Sequence, residues 1–324
     1  MPRSARSLVV LVGLLALAVA APAQAQDKWP TKPVRVIIPF TAGGLADTIA
    51  RVVMAGLSEK LKEQFYIENR PGAGGALGSM VVARAEPDGY TLIVSGVGSH
   101  IMTPLTNPKA GYDPLKDFTH IAMLGGTADI LAVHPSVNVK TVAEFIKLAN
   151  STPGGLTYAS SGPGTLAQIG FEYFRLKHNI NVRPIPYAGG GGALNDAIAG
   201  HVPAIFSFVG EQARAGKLRA LAVSTPVRIG TAPDTPTFLE LGYPELNLVP
   251  WFALSGPKNM SADIVRKLNA EVREVIKRPE VKARLDGLSI VTFDWDVPTV
   301  QRYFADELKR WGEVAKFVDE KTKP

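Results

Sequence analysis

Residues 39–51 read PFTAGGLADTIAR, and this stretch decides the fold. The β-rich run Val34 to Phe40 ends in a Gly43-Gly44 turn, and Asp47 follows as a helix begins. Leu45, Ile49, Val52, Val53, Leu57 and Leu61 then recur at helical spacing and trace one apolar face. A glycine turn that opens a helix presents backbone N–H groups to an anion. The module recurs. Gln64 to Glu68 leads into NRPGAGGALGSMVVARA, Tyr90 to Val94 into SGVGSH, Leu156 to Ala159 into SSGPGTLAQIGFEYF, and Val182 to Tyr187 into AGGGGALNDAIAG. Strands alternating with helices predict an α/β protein with parallel or mixed sheets covered by helices.

One glycine turn is most simply a tight connection, because glycine permits the backbone it needs. Five at the carboxyl ends of strands point to a cleft, which is where open α/β sheets bind ligands. Three of the turns also carry hydroxyls: Thr41, then Ser95 and Ser99, then Ser160 and Ser161 with Thr165. Asp47 has two structural explanations, a favourable place in the first helical turn and Arg51 four residues on. Its position behind Gly43-Gly44 favours a third, that it holds water beside a bound anion.

The length suggests two lobes. His120 to Gly126 breaks at Gly125-Gly126 and resumes as Ile130 to Val133, and LNLVPWFAL (246–254) is a second extended run. If both cross between lobes, residues 26–124 and 250–324 form one lobe and 125–249 the other. Two such crossings would make a hinge. Helices are expected over 261–277 and 297–318, with Phe304 and Trp311 on the apolar side of the last.

The N-terminus sets the compartment. Arg3 and Arg6 precede an apolar run from Leu8 to Ala20, and Ala23-Gln24-Ala25 matches a cleavage pattern. That predicts a secretory signal peptide over residues 1–25, cleaved after Ala25. The chain has no cysteine, so an exported form relies on its core without disulfides. The formal charge of +6 is spread singly along the chain among acids, which argues against nucleic acid and suits attraction of a small anion.

Catalytic templates fit poorly. G-x-S-x-G and HExxH are missing, His100, His120, His134, His178 and His201 are scattered, and Gly72 to Leu77 puts leucine where a dinucleotide fingerprint needs its last glycine. The expectation is a binding protein, not an enzyme, with no catalytic residue, metal or cofactor.

The ordered set WPTKPVRVIIPFTAGGLADTIAR, YIENRPGAGGALG, PDGYTL, SSGPGT and PYAGGGGALNDAIAG resembles the Bug family, the solute receptors of tripartite tricarboxylate transporters, over essentially the whole chain after the leader. The resemblance implies a bilobed periplasmic-binding-protein fold of the Venus-flytrap type, and a small organic carboxylate held between the lobes by amides and water. It implies ligand contacts from Phe40, Thr41, Ala42, Gly43 and Gly44 with Asp47, from Ser95 and Ser99, from Ser160, Ser161, Gly164 and Thr165, and from Tyr187 and Gly189 with Asp196. One departure stands in the PY turn, where Ala188 and four glycines, Gly189 to Gly192, leave few side chains. The implied partners are a carboxylate and membrane transporter subunits, with a monomer free in the periplasm. A sensor for a membrane histidine kinase is the first alternative. A periplasmic hydrolase using Ser161 with a distant His and Asp is the second. Dicarboxylate, tricarboxylate, amino acid and aromatic acid all stay open as ligands.

Overall fold

The computed structural model describes residues 29–160, 165–187 and 190–322. The leader expected over 1–25 therefore lies outside the described residues. Among the described residues no helix is long and apolar enough to cross a membrane.

The first sheet grows from the module quoted above. Strand β1 (Val34–Ile38) lies between β2 (Phe65–Asn69) and β3 (Thr91–Gly96), parallel to both. Helix α1 (Leu45–Leu61) follows β1, and α2 (Ala76–Ala83) follows β2. Two more strands complete the sheet. β4 (Phe118–Gly126) is the edge, and β10 (Trp251–Pro257) is inserted antiparallel between β3 and β4.

The second sheet repeats the plan. β6 (Leu156–Ser160) is parallel to β7 (Val182–Pro186) and β8 (Ala204–Ser207). β5 (Ile130–Val133) is inserted antiparallel between β8 and the edge strand β9 (Arg219–Val223). Helices α3 (Val142–Ser151), α4 (Leu166–Lys177) and α5 (Gly190–Ile198) belong to this half. Two mixed sheets flanked by helices, one per lobe, are the expected bilobed fold.

In each sheet the antiparallel strand is the one entered from the other half. β5 follows the first crossing and β10 the second, so the two crossings are held side by side. The Thr127 amide donates to Pro250 O at 3.1 Å. The Asp129 amide donates to Ser224 Oγ at 2.9 Å, and the Ser224 amide returns to Asp129 O at 2.8 Å. Ser224 Oγ donates to Leu248 O at 2.5 Å. The expected crossing points shift accordingly. Gly125 and Gly126 finish β4, and residues 251–254 already pair within the first sheet. The first crossing is Thr127 to Asp129.

The C-terminal segment is helical as expected: α6 (Ala262–Lys277), α7 (Pro279–Gly287) and α8 (Val297–Thr322). Val275 of α6 reaches so near Gly56 of α1 that a β-carbon there would sit 2.5 Å from its methyl, so glycine sets that approach. Helix α8 packs on β4 of one half and α4 of the other. Its Glu307, buried, accepts from the indoles of Trp311 (3.1 Å) and Trp251 (3.4 Å). Arg310 donates to the carbonyls of Glu245 (3.2 Å) and Asn247 (3.1 Å), tying α8 to the second crossing. One apolar cluster runs from Phe171 and Phe206 of the second half through Leu248 and Trp251 to Phe304 and Trp311. The described residues from Lys32 onward form one compact unit.

Candidate functional site

Helix α1 starts at Gly44 in extended conformation (φ −75°, ψ 172°), and no side chain caps it. The first intrahelical bond is Thr48 N–H to Gly44 O at 2.9 Å. The amides of Leu45, Ala46 and Asp47 therefore have no helical acceptor, and the positive end of the helix dipole lies behind them. Gly43 takes the left-handed conformation (φ +79°) that turns the chain into this helix.

Asp47 organises the turn, in place of the expected water. Its Oδ2 accepts from the Gly43 amide at 3.0 Å and from Arg51 Nε at 2.8 Å. Its Oδ1 accepts from Arg51 Nη2 and from Asn69 Nδ2, both at 3.0 Å. Four donors fill both oxygens, so no acceptor site is left for a water molecule. The Arg51 hydrogen bonds are the main reason its carboxyl is held down to about 2. Asn69 also donates to Phe40 O at 3.1 Å, which fixes the other end of the loop.

Two adjoining cavities open beside this turn, of about 470 Å³ and 290 Å³, and Phe40, Val97, Gly98 and Pro250 line both. Thr41, Gly44, Leu45 and Ala46 line the smaller. Thr165, Leu166 and Ala167 at the start of α4 line the larger, and so does Asp129 from the first crossing. The cleft thus takes walls from both halves and from both crossings. Thr165 is the N-cap of α4, accepting from the Gln168 amide at 3.3 Å. A second helix N-terminus therefore faces the same space. Among the described residues, no Lys or Arg lines either cavity. A further cavity of about 490 Å³ lies by β9, lined by Arg214, Arg219 and Asp234, away from these turns. Among the described residues no cluster of three or more His, Asp or Glu gathers to hold a metal.

The candidate residues separate into three groups. Phe40, Thr41, Gly44 and Thr165 line the cleft, and Ala42 and Gly43 are exposed on its turn. Ser161, Gly164 and Gly189, with Ala188, lie outside the described residues. The others are engaged elsewhere. Ser95 is fully buried and donates to Ala253 O at 3.1 Å within 2.9 Å of Ser255 Oγ. Ser99 is also fully buried, bonded to Gly96 and 3.0 Å from His100 Nδ1. Neither hydroxyl lines the two cavities: Ser95 is turned toward β10 within the sheet, and Ser99 is bonded within its own turn, so the expected ligand contacts of both are not seen among the described residues. Tyr187 donates to Asp196 Oδ2 at 2.6 Å, and that bond raises the phenol to about 12. Neither residue lines the cavities. Ser160 is buried at the end of β6, its carbonyl accepting from the Tyr187 amide at 3.1 Å.

Asp129 was missed. Its signal in the sequence is a lone acid directly before the apolar run Ile130 to Val133, which reads equally well as an ordinary strand start.

The family model described as tripartite tricarboxylate transporter family receptor matches residues 49–319. Protein BugT of Bordetella pertussis is 32% identical over 98% of this chain and 99% of its own. Among solved structures, an R. palustris protein with adipate is similar at 31% identity and a TM-score of 0.76, covering 90% of this chain and 98% of that one. MatC of Rhodopseudomonas palustris with bound malate is similar at 32% identity and a TM-score of 0.72, covering 88% and 99%.

Proposed function

Because the chain belongs to the tripartite tricarboxylate transporter receptor family, we propose that it is a periplasmic receptor that captures a small organic carboxylate between the lobes and presents it to membrane transporter subunits. The observation that carries this reading is the uncapped N-terminus of α1 beside a cavity that no basic side chain lines among the described residues. A carboxylate there accepts from amides already ordered by Gly43, Asp47 and Asn69, so little entropy is lost on binding. The adipate and malate held by two relatives are ligands of this kind.

The crossings at 127–129 and 224–250 are the natural hinge, with the first sheet and α6–α8 on one side and the second sheet on the other. Closure would bring the start of α4 toward the start of α1 around the ligand.

A thermal-shift panel of organic acids tests the reading. A ligand at one hundred times its dissociation constant stabilises by about 2.7 kcal/mol, a readily measured rise. A broad panel of mono-, di- and tricarboxylates and amino acids that leaves the transition unmoved would count against it.

A further inference from the structure

Asp129 is nearly all buried, 5% exposed, on the wall of the larger cavity. Its backbone is locked by the two bonds to Ser224, so the residue is fixed where the halves meet. Its Oδ2 is buried with no hydrogen-bond partner. The other described lining residues include Phe40, Met102, Thr103, Thr106 and Thr165, and none is charged. A buried carboxylate without a donor is costly, and it is relieved by a ligand that brings one or by a proton.

The ligand's own carboxylate narrows the choice. With that group at the α1 N-terminus, an ionised Asp129 places a second negative charge in one uncharged cavity. A hydroxyl on the ligand would supply a hydrogen bond and leave both charges standing. An ammonium supplies the hydrogen bond and cancels one charge. We propose that Asp129 is a specificity-determining residue that binds an ammonium group, so that the ligand of this receptor is a zwitterionic amino acid. The proposal rests on the carboxylate reading above and adds the second group of the ligand. The cavity volume of about 470 Å³ is within the range that holds small molecules. Burial alone pushes the ligand-free Asp129 carboxyl up to about 7. An ammonium beside it would draw that value back down.

Calorimetry on the full-length exported protein at pH 7.5 tests this with acids that differ only by the α-amino group. The pairs are aspartate and succinate, glutamate and glutarate, and phenylalanine and 3-phenylpropionate, following a wider amino-acid screen. The proposal expects the amino member of at least one pair to bind tenfold or more tighter than its partner. It also expects Asp129→Asn, checked for folding by circular dichroism, to bring that ratio near one by weakening the amino member. Deaminated acids that bind as tightly as amino acids would overturn it and leave the carboxylate reading standing. So would an amino preference unchanged in folded Asp129→Asn. Should the variant not fold, the wild-type ratios alone decide. Absence of binding by every acid, with or without the amine, would overturn the carboxylate reading as well.

Discussion

The Oδ2 atom of Asp47 lies 3.0 Å from the amide nitrogen of Gly43, so the acid that follows the glycine turn reaches back and closes it. The same carboxylate holds Arg51 and Asn69, and Asn69 holds Phe40. One side chain thereby joins the loop, helix α1 and strand β2.

Asp47→Ala is therefore expected to lower stability by about 1–2 kcal/mol, the scale of a charge-assisted bond lost from a partly buried site. Its carboxyl is held at about 2, below the ordinary value of 3.8. A depressed acid contributes stability that is fully present above 3.8 and is lost as pH falls toward 2. Urea unfolding of the variant at pH 7 should show the full difference, and the gap should close near pH 2. Affinity for a carboxylate should fall with the loss of loop order. An unchanged midpoint at pH 7 would contradict the role.

Gly43 and Gly44 should behave differently. Gly43 needs φ +79°, although nothing stands within 4 Å of a β-carbon there. Gly44 has ordinary extended backbone, and its β-carbon would meet only Thr41 O at 3.4 Å. Gly43→Ala should cost about 1 kcal/mol through backbone strain. Gly44→Val should cost about 1 kcal/mol at most, because valine is a poorer N-cap than glycine and the backbone there is otherwise ordinary. It should nonetheless weaken ligand binding tenfold or more, because its side chain fills the approach to the α1 amides. Denaturant unfolding and calorimetry on the two variants separate these effects, and normal affinity in Gly44→Val would place the ligand elsewhere.

Asp129 should make the ligand-free protein less stable as pH rises. Its folded value is raised from 3.8 to about 7, so between these limits the folded state binds the extra proton. Stability then falls with rising pH across that window. Asp129→Asn removes the loss, and above pH 7 it should stabilise the free protein by up to about 4 kcal/mol, three units at 1.36 kcal/mol each. The gain should shrink steadily toward pH 4. Urea titrations at pH 4.5, 6 and 7.5 check the sign, and a gain that grows on acidification would refute it.

The first half carries the opposite dependence in His120. Its Nε2–H donates to Pro114 O at 2.9 Å, so Nδ1 accepts from Ser255 at 2.9 Å and the neutral ring is satisfied. Burial lowers it from 6.5 to about 3, and burial also lowers His100, helped by the charge of His120. The stability these neutral rings give is present above 6.5 and is lost as pH falls from there toward 3. At pH 5 the loss from His120 alone is about 2 kcal/mol. It is best measured in Asp129→Asn, where the opposing acid is gone. Imidazole NMR should show His120 still neutral at pH 5 in the folded protein; a ring protonated near pH 6.5 would contradict this.

What could be read in the sequence was local. The run Val34 to Ile38, the Gly43-Gly44 turn and the apolar face through Ile49, Val53 and Leu57 describe one contiguous module, and the structure contains it. Phe304 and Trp311 lie on one face of a long helix and are buried as expected. The failures are non-local. Ser95 pairs with Ala253 across nearly half the chain, so its place in the interior could not be read from SGVGSH. The Asp47 partner Asn69 sits on the next strand, brought near by the parallel pairing of β1 and β2. Asp129 depends on three segments meeting, residues 127–129, Ser224 and 248–250, each ordinary in sequence.

The most direct measurement is an amide NMR titration of the deuterated protein with the best acid from the thermal-shift panel. A carboxylate bound at the start of α1 should give saturable downfield shifts at Leu45 and Ala46, from whose N–H groups it would accept, with smaller changes at Thr165 and Leu166. Saturable shifts confined to Arg214, Arg219 and their neighbours by β9, with Leu45 and Ala46 unmoved, would contradict that placement.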